Sequence, residues 1–299
     1  MSKLIVIVGP TAVGKTSLSL EIAQQFDGEI VSADAMQFYK GLDIGTAKIK
    51  YSEMKGIKHH LIDFLEPQDS FSVADFQKIV RNKIDELMES GKNVVVVGGS
   101  GLYLQAALFD YDFQGQKRSE ETKDIYKDFS NSELYDKLLI LNKELATSVH
   151  PNNRRRLLRS LEIAEAKSPD FLDKGKQPIY PEMILIGIQM ERAKLYDSIN
   201  QRVDHMFEEG LIEEVRTFYN QGLHSQSMLG IGYKEVYQYL DGKISLDEAK
   251  DLIKQHSRNY AKRQLTWFHN KLDIPWFEVN PILFHQTVED VIQFIKKVE

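Results

Sequence analysis

Three short apolar runs, each stopped by glycine or aspartate, set the rhythm of the first third of the chain: "KLIVIVG", "GEIVSAD" and "NVVVVGG". They are rich in Val and Ile and too short for helices, which predicts strands buried on both faces. Between them the apolar spacing turns helical, over Lys15–Phe26 and Val73–Ser90. The second stretch puts Val73, Phe76, Val80, Ile84, Leu87 and Met88 on one stripe, with Ser72 placed as N-cap and Gly91 at the C-terminal end. Strand and helix in alternation predict an α/β fold, a parallel sheet with helices on both faces.

From about residue 112 to 181 the strand pattern disappears. "SNSELYDKLLILNKELA" and "NRRRLLRSLEIAEAK" both read as helices joined by polar segments. "PEMILIGIQM" then restores a buried-strand pattern, so the helical block reads as an insertion. The expected division is a core of residues 1–111 and 182–299 carrying an all-helical subdomain over 112–181. After Gln189 the chain is mostly helical. Ser245 with Glu248 forms a capping box for a long helix reaching toward Trp267, and Trp267 and Phe268 are assigned to the core.

Bulk properties narrow this picture. At 299 residues with 42% hydrophobic and 27% charged side chains, the chain has the composition of a soluble globular protein. No apolar run is long enough to span a bilayer, and Leu4–Val8 reads as a strand, not a signal peptide. The absence of cysteine excludes disulfides, thiolate metal sites and thiol catalysis, and fits the cytoplasm. A net charge of −6 argues against a protein that simply coats nucleic acid. Two local clusters run the other way: Arg154, Arg155, Arg156 and Arg159, and the stripe Lys254, Arg258, Lys262 and Arg263. Each cluster taken alone is more often a solvated helix face than a binding surface.

The most specific local chemistry lies between the first strand and the first helix. Gly9, Gly14, Lys15 and Thr16 complete G-x-x-x-x-G-K-[ST], enclosing Pro10, Thr11, Ala12 and Val13. Such a loop wraps its amides around a phosphate, Lys15 adds a full charge, and the Thr16 hydroxyl suits a phosphate-bridging Mg²⁺. An ATPase would place an acid after a later strand, yet "VVVVGGSG" ends in glycines and Ser100. The acid comes instead after the second strand, as Asp34, followed by Gln37, Tyr39, Asp43, Thr46 and Lys48. Strand ends of this kind are where open α/β sheets build their sites. His59 and His60 lack a third ligand at metal spacing and are assigned structural or base-adjacent roles.

The series "GPTAVGKT", "GEIVSADAMQFYKGLDIGTAK", "HHLIDFLEP", "SFSVADF", "VVVVGGSGLYLQAAL", "IGYKE" and "YAKRQLTWF" resembles the tRNA dimethylallyltransferases, in order and over nearly the whole chain. The resemblance implies a P-loop core with a helical insertion, and transfer of a dimethylallyl group from dimethylallyl diphosphate to N6 of the adenosine 3′ to the anticodon. The loop would then grip the donor's diphosphate through Gly9–Thr16 and Arg192, with Mg²⁺ at Thr16. Catalysis would fall to Asp34 as proton acceptor, Ser100 where the family usually has threonine, Lys15 and Thr16. The tRNA anticodon stem-loop would meet Asp34, Ala35, Met36, Gln37, Ser100, Arg155, Arg156 and Arg159. Ala35 replaces a common serine, and Ser198 stands where a second diphosphate-facing arginine is expected. The expected enzyme is a monomer with no membrane partner. A free-nucleotide prenyltransferase, a small-molecule or nucleotide kinase and a non-enzymatic RNA-binding P-loop module are the competing readings. The arginine-rich insertion speaks against the first, and Asp34 with Ser100 against the last.

Overall fold

The computed structural model describes residues 2–111, 125–165 and 177–298, which fall into two compact units. One comprises Met1–Phe109 with Pro178–Glu299, the other Asp110–Gln177. The junctions lie at 109/110 and 177/178, where the sequence pattern places them at 111/112 and 181/182; residues 112 and 166–167 are outside the described set.

The larger unit is built on six strands, β1 (Leu4–Val8), β2 (Gly28–Ser32), β3 (His59–His60), β4 (Asn93–Gly98), β5 (Ile184–Gln189) and β6 (Trp276–Glu278). All pair in parallel, in the order β3-β2-β4-β1-β5-β6. Its helices are α1 (Lys15–Gln25), α2 (Val73–Glu89) and α3 (Gly101–Leu108), then, after the smaller unit's α4 to α6, α7 (Arg192–Glu208), α8 (Leu211–Asn220), α9 (Tyr233–Leu240), α10 (Leu246–Lys271) and α11 (Phe284–Lys297). The period of two in β1 shows why both sheet faces are covered. Ile5 and Ile7 pack with Leu18 and Ile22 of α1 and with Val291 and Ile295 of α11. Leu4, Val6 and Val8 pack on the opposite face with Phe76, Val80 and Ile84 of α2 and Phe268 of α10. A third cluster joins α7, α8 and α9 to Tyr39 and Leu42 of the loop after β2.

Packing, more than capping, holds these helices. In α2, Ser72 accepts from Asp75 N while Asp75 reaches back to the Ser72 amide, worth about 1 kcal/mol. Phe76, Val80, Ile84 and Leu87 bury their side chains, at about 1.5–3 kcal/mol each. Ser245 and Glu248 form the expected capping box at the start of α10. The edge strands β3 and β6 were not visible in the pattern, because two or three residues carry no periodicity. Among the described residues no helix is long and apolar enough to cross a membrane.

The smaller unit contains α4 (Asn131–Leu141), α5 (Lys143–Thr147) and α6 (Arg154–Glu165) around Tyr126, Leu134, Leu138, Leu145, Leu157 and Leu161. Arg154 donates to the carbonyls of Tyr126, Lys127 and Phe129, so this arginine ties the unit together.

Helix α10 lies close against the turn from β4 into α3. A Cβ on Gly101 would lie 2.2 Å from the Trp267 ring. Gly101→Ala is therefore expected to cost about 1–3 kcal/mol through overpacking, read as a lower midpoint in denaturant unfolding.

Candidate active site

Between the end of β1 and the start of α1, residues 9–14 wrap around the N-terminus of the helix. Gly9 has no room for a side chain, since a Cβ there would lie 2.4 Å from the Ile188 carbonyl oxygen. Gly14 stands at φ 98° as N-cap and offers no capping side chain, which leaves the first-turn amides for an anion. Ala12 is held at φ 62°, a left-handed conformation that costs a non-glycine residue about 1–2 kcal/mol. Neighbours hold it there: Ser198 Oγ donates to the Ala12 carbonyl at 2.9 Å, and the Thr11 amide donates to Gln264 Oε1 at 2.9 Å. Backbone strain fixed from outside in this way is a mark of a ligand cradle.

The cradle is strongly electropositive. Lys15 Nζ curls onto the carbonyls of Gly9 at 3.0 Å and Pro10 at 2.5 Å. Burial pushes its pKa down to about 7; Asp34 opposes this and Arg202 adds to it. Arg202, on α7, donates to Thr11 Oγ1 at 3.0 Å and to the Thr46 carbonyl at 3.3 Å. Its pKa is likewise lowered by burial, with Asp34 opposing. Arg202 and, below pH about 7, the Lys15 ammonium stand half-buried beside one carboxylate, a setting that favours an anionic ligand.

Because β4 pairs with both β1 and β2, the C-terminal ends of three neighbouring strands stand side by side. They carry the cradle, Ser100 and Asp34. Asp34 Oδ1 accepts the Met36 amide at 3.0 Å, and the Gln37 amide donates to the Asp34 carbonyl at 3.2 Å, a tight turn over residues 34–37. Gln37 is pinned at both ends of its amide, by Ser32 Oγ at 3.5 Å and by the Thr46 carbonyl at 3.3 Å. Ser100 occupies the N-cap of α3 without spending its hydroxyl on capping. That hydroxyl instead lies 3.5 Å from the Tyr260 hydroxyl. Tyr260 is held un-ionised, chiefly by burial and then by the charge of Asp34. Gln264 bridges the parts: it accepts from Thr11 in the cradle and donates to the Gly99 carbonyl at 2.9 Å, at the end of β4.

Thr16 is exposed at the second position of α1, and Ala35 and Met36 are half-buried in the 34–37 turn. Arg192 lies exposed at the start of α7 with its guanidinium 5.1 Å from the Tyr196 ring centre. The arginine that reaches the cradle is Arg202, two turns or more further along the same helix, while Ser198 braces the loop backbone. Arg155 and Arg156 are exposed on α6 of the smaller unit, and Arg159 pairs with Glu162 at 2.9 Å. His60 bonds Glu29 at 2.6 Å and His59 faces the Ile57 carbonyl at 2.9 Å. Among the described residues no group of three or more His, Cys, Asp or Glu could hold a metal ion. In the basic stripe of α10, Lys254 pairs with Asp204 at 2.7 Å and Arg258 donates to Asn200 at 2.6 Å, so these two brace α7.

Arg202 carries no sequence signal, and Tyr260 and Gln264, though inside the "YAKRQLTWF" segment, are given no site role by the sequence. Each is a polar residue on a long helix, indistinguishable from a solvated face until the fold brings it to a loop about 160 residues or more away.

The chain as a whole is similar to known proteins. The family model described as IPP transferase matches residues 37–271. A tRNA dimethylallyltransferase from Anoxybacillus flavithermus is 45% identical over 98% of this chain and 96% of its own length, and one from Bacillus subtilis is 46% identical over 93% and 91%. The crystal structure of a tRNA isopentenylpyrophosphate transferase from Bacillus halodurans is 44% identical, with a TM-score of 0.77 over 100% of this chain and 97% of that one. A eukaryotic dimethylallyltransferase captured acting on tRNA is 28% identical, with a TM-score of 0.85 over 99% and 80%. With a match over more than half its length and relatives at this identity along nearly all of it, the chain belongs to the IPP transferase family.

Proposed function

We propose that this protein transfers the dimethylallyl group of dimethylallyl diphosphate to N6 of the adenosine 3′ to the anticodon of tRNA, releasing pyrophosphate. The observation that carries the reading is the meeting, on adjacent strand ends, of a half-buried cationic cradle with Asp34 and Ser100. An acid after β2, beside glycines and a serine after β4, is laid out for a nucleophile to approach the cradle from the side.

The chemistry assigns each group a task. The N6–C1 bond forms as the C1–O bond to the diphosphate breaks, and negative charge gathers on the leaving oxygens. Lys15, Arg202 and the open amides of α1 stabilise that charge. The adenine amine gives its proton to Asp34, and Gln37 meets the edge of the unstacked base. Ser100, whose hydroxyl is not used in capping α3 and lies 3.5 Å from the Tyr260 hydroxyl, would face the reacting centre from the turn after β4. Mg²⁺ fits the site as an ion arriving with the diphosphate: the exposed Thr16 hydroxyl would hold it together with phosphate oxygens, and it would neutralise leaving-group charge. Arg155, Arg156 and Arg159 are proposed to meet tRNA phosphates, with Arg192 a further diphosphate contact. The protein is proposed to act in the cytoplasm as a monomer.

Purified protein incubated with unmodified tRNA, Mg²⁺ and dimethylallyl diphosphate should yield N6-dimethylallyladenosine on nucleoside mass spectrometry. Unmodified adenosine in the wild-type reaction would reject the proposal. In single-turnover transfer with both substrates saturating, Asp34→Asn should be slowed roughly 10²- to 10⁴-fold, the range for losing an acid–base group. A wild-type rate in that variant would mean that Asp34 only shapes the loop.

Lys15 gives a pH signature. In the empty site its pKa is about 7, and a bound diphosphate must raise it. The ammonium contribution to binding is thus complete below pH about 7 and disappears as pH rises through the raised value in the complex. At pH 8–9 donor binding should take up close to one proton, measured by calorimetry in buffers of different ionisation enthalpy. Lys15→Arg, charged throughout, should abolish the uptake.

Charge reversal at Arg155 and Arg156 should weaken tRNA binding and reduce its log–log salt slope by roughly one to two. Donor binding should stay the same. An unaltered salt slope would make these arginines a solvated face.

A further inference from the structure

The loop that follows the 34–37 turn is held by a carboxylate from a distant helix. Glu214, in the first turn of α8, accepts the amides of Asp43 at 3.0 Å and Ile44 at 2.7 Å on one oxygen. Its other oxygen accepts the Gly45 amide at 3.1 Å and the Tyr233 hydroxyl at 2.6 Å. Three successive backbone amides converging on one side chain form an anion-binding nest, here filled by the protein's own carboxylate. The fit allows no slack, because a Cβ on Gly45 would lie 2.6 Å from the Tyr233 ring. On the opposite side the buried Lys48 fixes the loop to Asp43 at 2.7 Å, to the Tyr39 carbonyl at 2.7 Å and to Asp63.

The next residue shows what this clamp controls. The Thr46 carbonyl accepts Gln37 Nε2 and Arg202 Nη2, both at 3.3 Å. Gln37 stands on the acceptor side of the site, and Arg202 reaches Thr11 in the cradle at 3.0 Å. One carbonyl therefore sets the position of a group on each side, and its own position is set by the amides Glu214 holds.

We infer that Glu214 is a positioning residue that aligns the base-facing Gln37 and the diphosphate-facing Arg202 through the Thr46 carbonyl. The inference rests on the transfer reaction proposed above. Both carboxylate oxygens of Glu214 are engaged by the protein itself, so its role runs through the loop. Its removal frees the 43–45 amides, lets Thr46 shift, and loosens both sides together. Misplacement on the order of 1 Å is enough to cost up to about 10²-fold in rate.

The test is steady-state transfer with each substrate varied in turn, far below the unfolding midpoint, for wild type, Glu214→Gln, Glu214→Ala, Gln37→Ala and Arg202→Lys. Glu214→Ala should raise KM for both tRNA and donor and lower kcat about tenfold or more. Gln37→Ala should raise KM mainly for tRNA, and Arg202→Lys mainly for donor. Glu214→Gln keeps one accepting oxygen for the Asp43 and Ile44 amides and should recover part of the loss, which keeps the test open if the alanine variant folds poorly. Combining Glu214→Ala with Arg202→Lys should cost less than the sum of the separate effects, as for residues acting through one shared group. A lowered melting midpoint with wild-type KM and kcat in both Glu214 variants would overturn the inference and leave Glu214 as scaffold. No transfer by the wild type would count instead against the proposed reaction.

Discussion

Two cations confined with one carboxylate govern this structure. Lys15 and Arg202 are half-buried near Asp34, and desolvation lowers the pKa of each while Asp34 opposes the shift. Desolvating like charges together is unfavourable, and here Asp34 and backbone carbonyls offset part of that cost. Several other features bear on the same site. The strained Ala12, the glycines that admit backbone close to backbone and the uncapped start of α1 all aim donors into the same small volume. Ser198 and Gln264 hold that volume open from α7 and α10, two helices that meet the cradle only in the folded chain.

The sheet decides what this charge can act on. With β4 between β1 and β2, the loops after three strands open to one side, and the acid and the hydroxyl face the cradle from neighbouring positions. A nucleotide kinase would use the same loop with its phosphate acceptor beyond the γ-phosphate. Here a carboxylate beside the cradle suits the proposed attack of a neutral amine on carbon, with diphosphate as the leaving group. The loop over residues 43–48 gives both halves a common reference, clamped by Glu214 on one side and Lys48 on the other.

Much of this was legible in the residues because it is local. The phosphate loop, Ser72 and Ser245 as helix caps, and β1, β2, β4 and β5 are each specified by a handful of neighbouring positions. The third and sixth strands were not, since they exist only as edges that longer strands create. The sequence pattern also marked Asp34, just past the end of β2, while Ser100 took its role from the family resemblance. The pattern missed Arg202 and Glu214, whose partners lie 191 and about 170 residues away along the chain. On α7 and α8 they sit among other charged residues, and only the packing of Val203, Met206, Leu211 and Val215 in one cluster turns these two inward. Ser198 shows the same limit in reverse. An arginine was expected there, and the fold uses the serine to brace Ala12 while Arg202 brings the guanidinium one turn later.

The central claim is that the half-buried cations are arranged for a prenyl diphosphate. Calorimetric titration of the wild-type protein with dimethylallyl diphosphate and, separately, with ATP, both in the presence of Mg²⁺, tests it most directly. The account predicts that dimethylallyl diphosphate binds about tenfold or more tightly than ATP, a difference of about 1.4 kcal/mol. Tighter binding of ATP, with no heat from the prenyl donor, would contradict it.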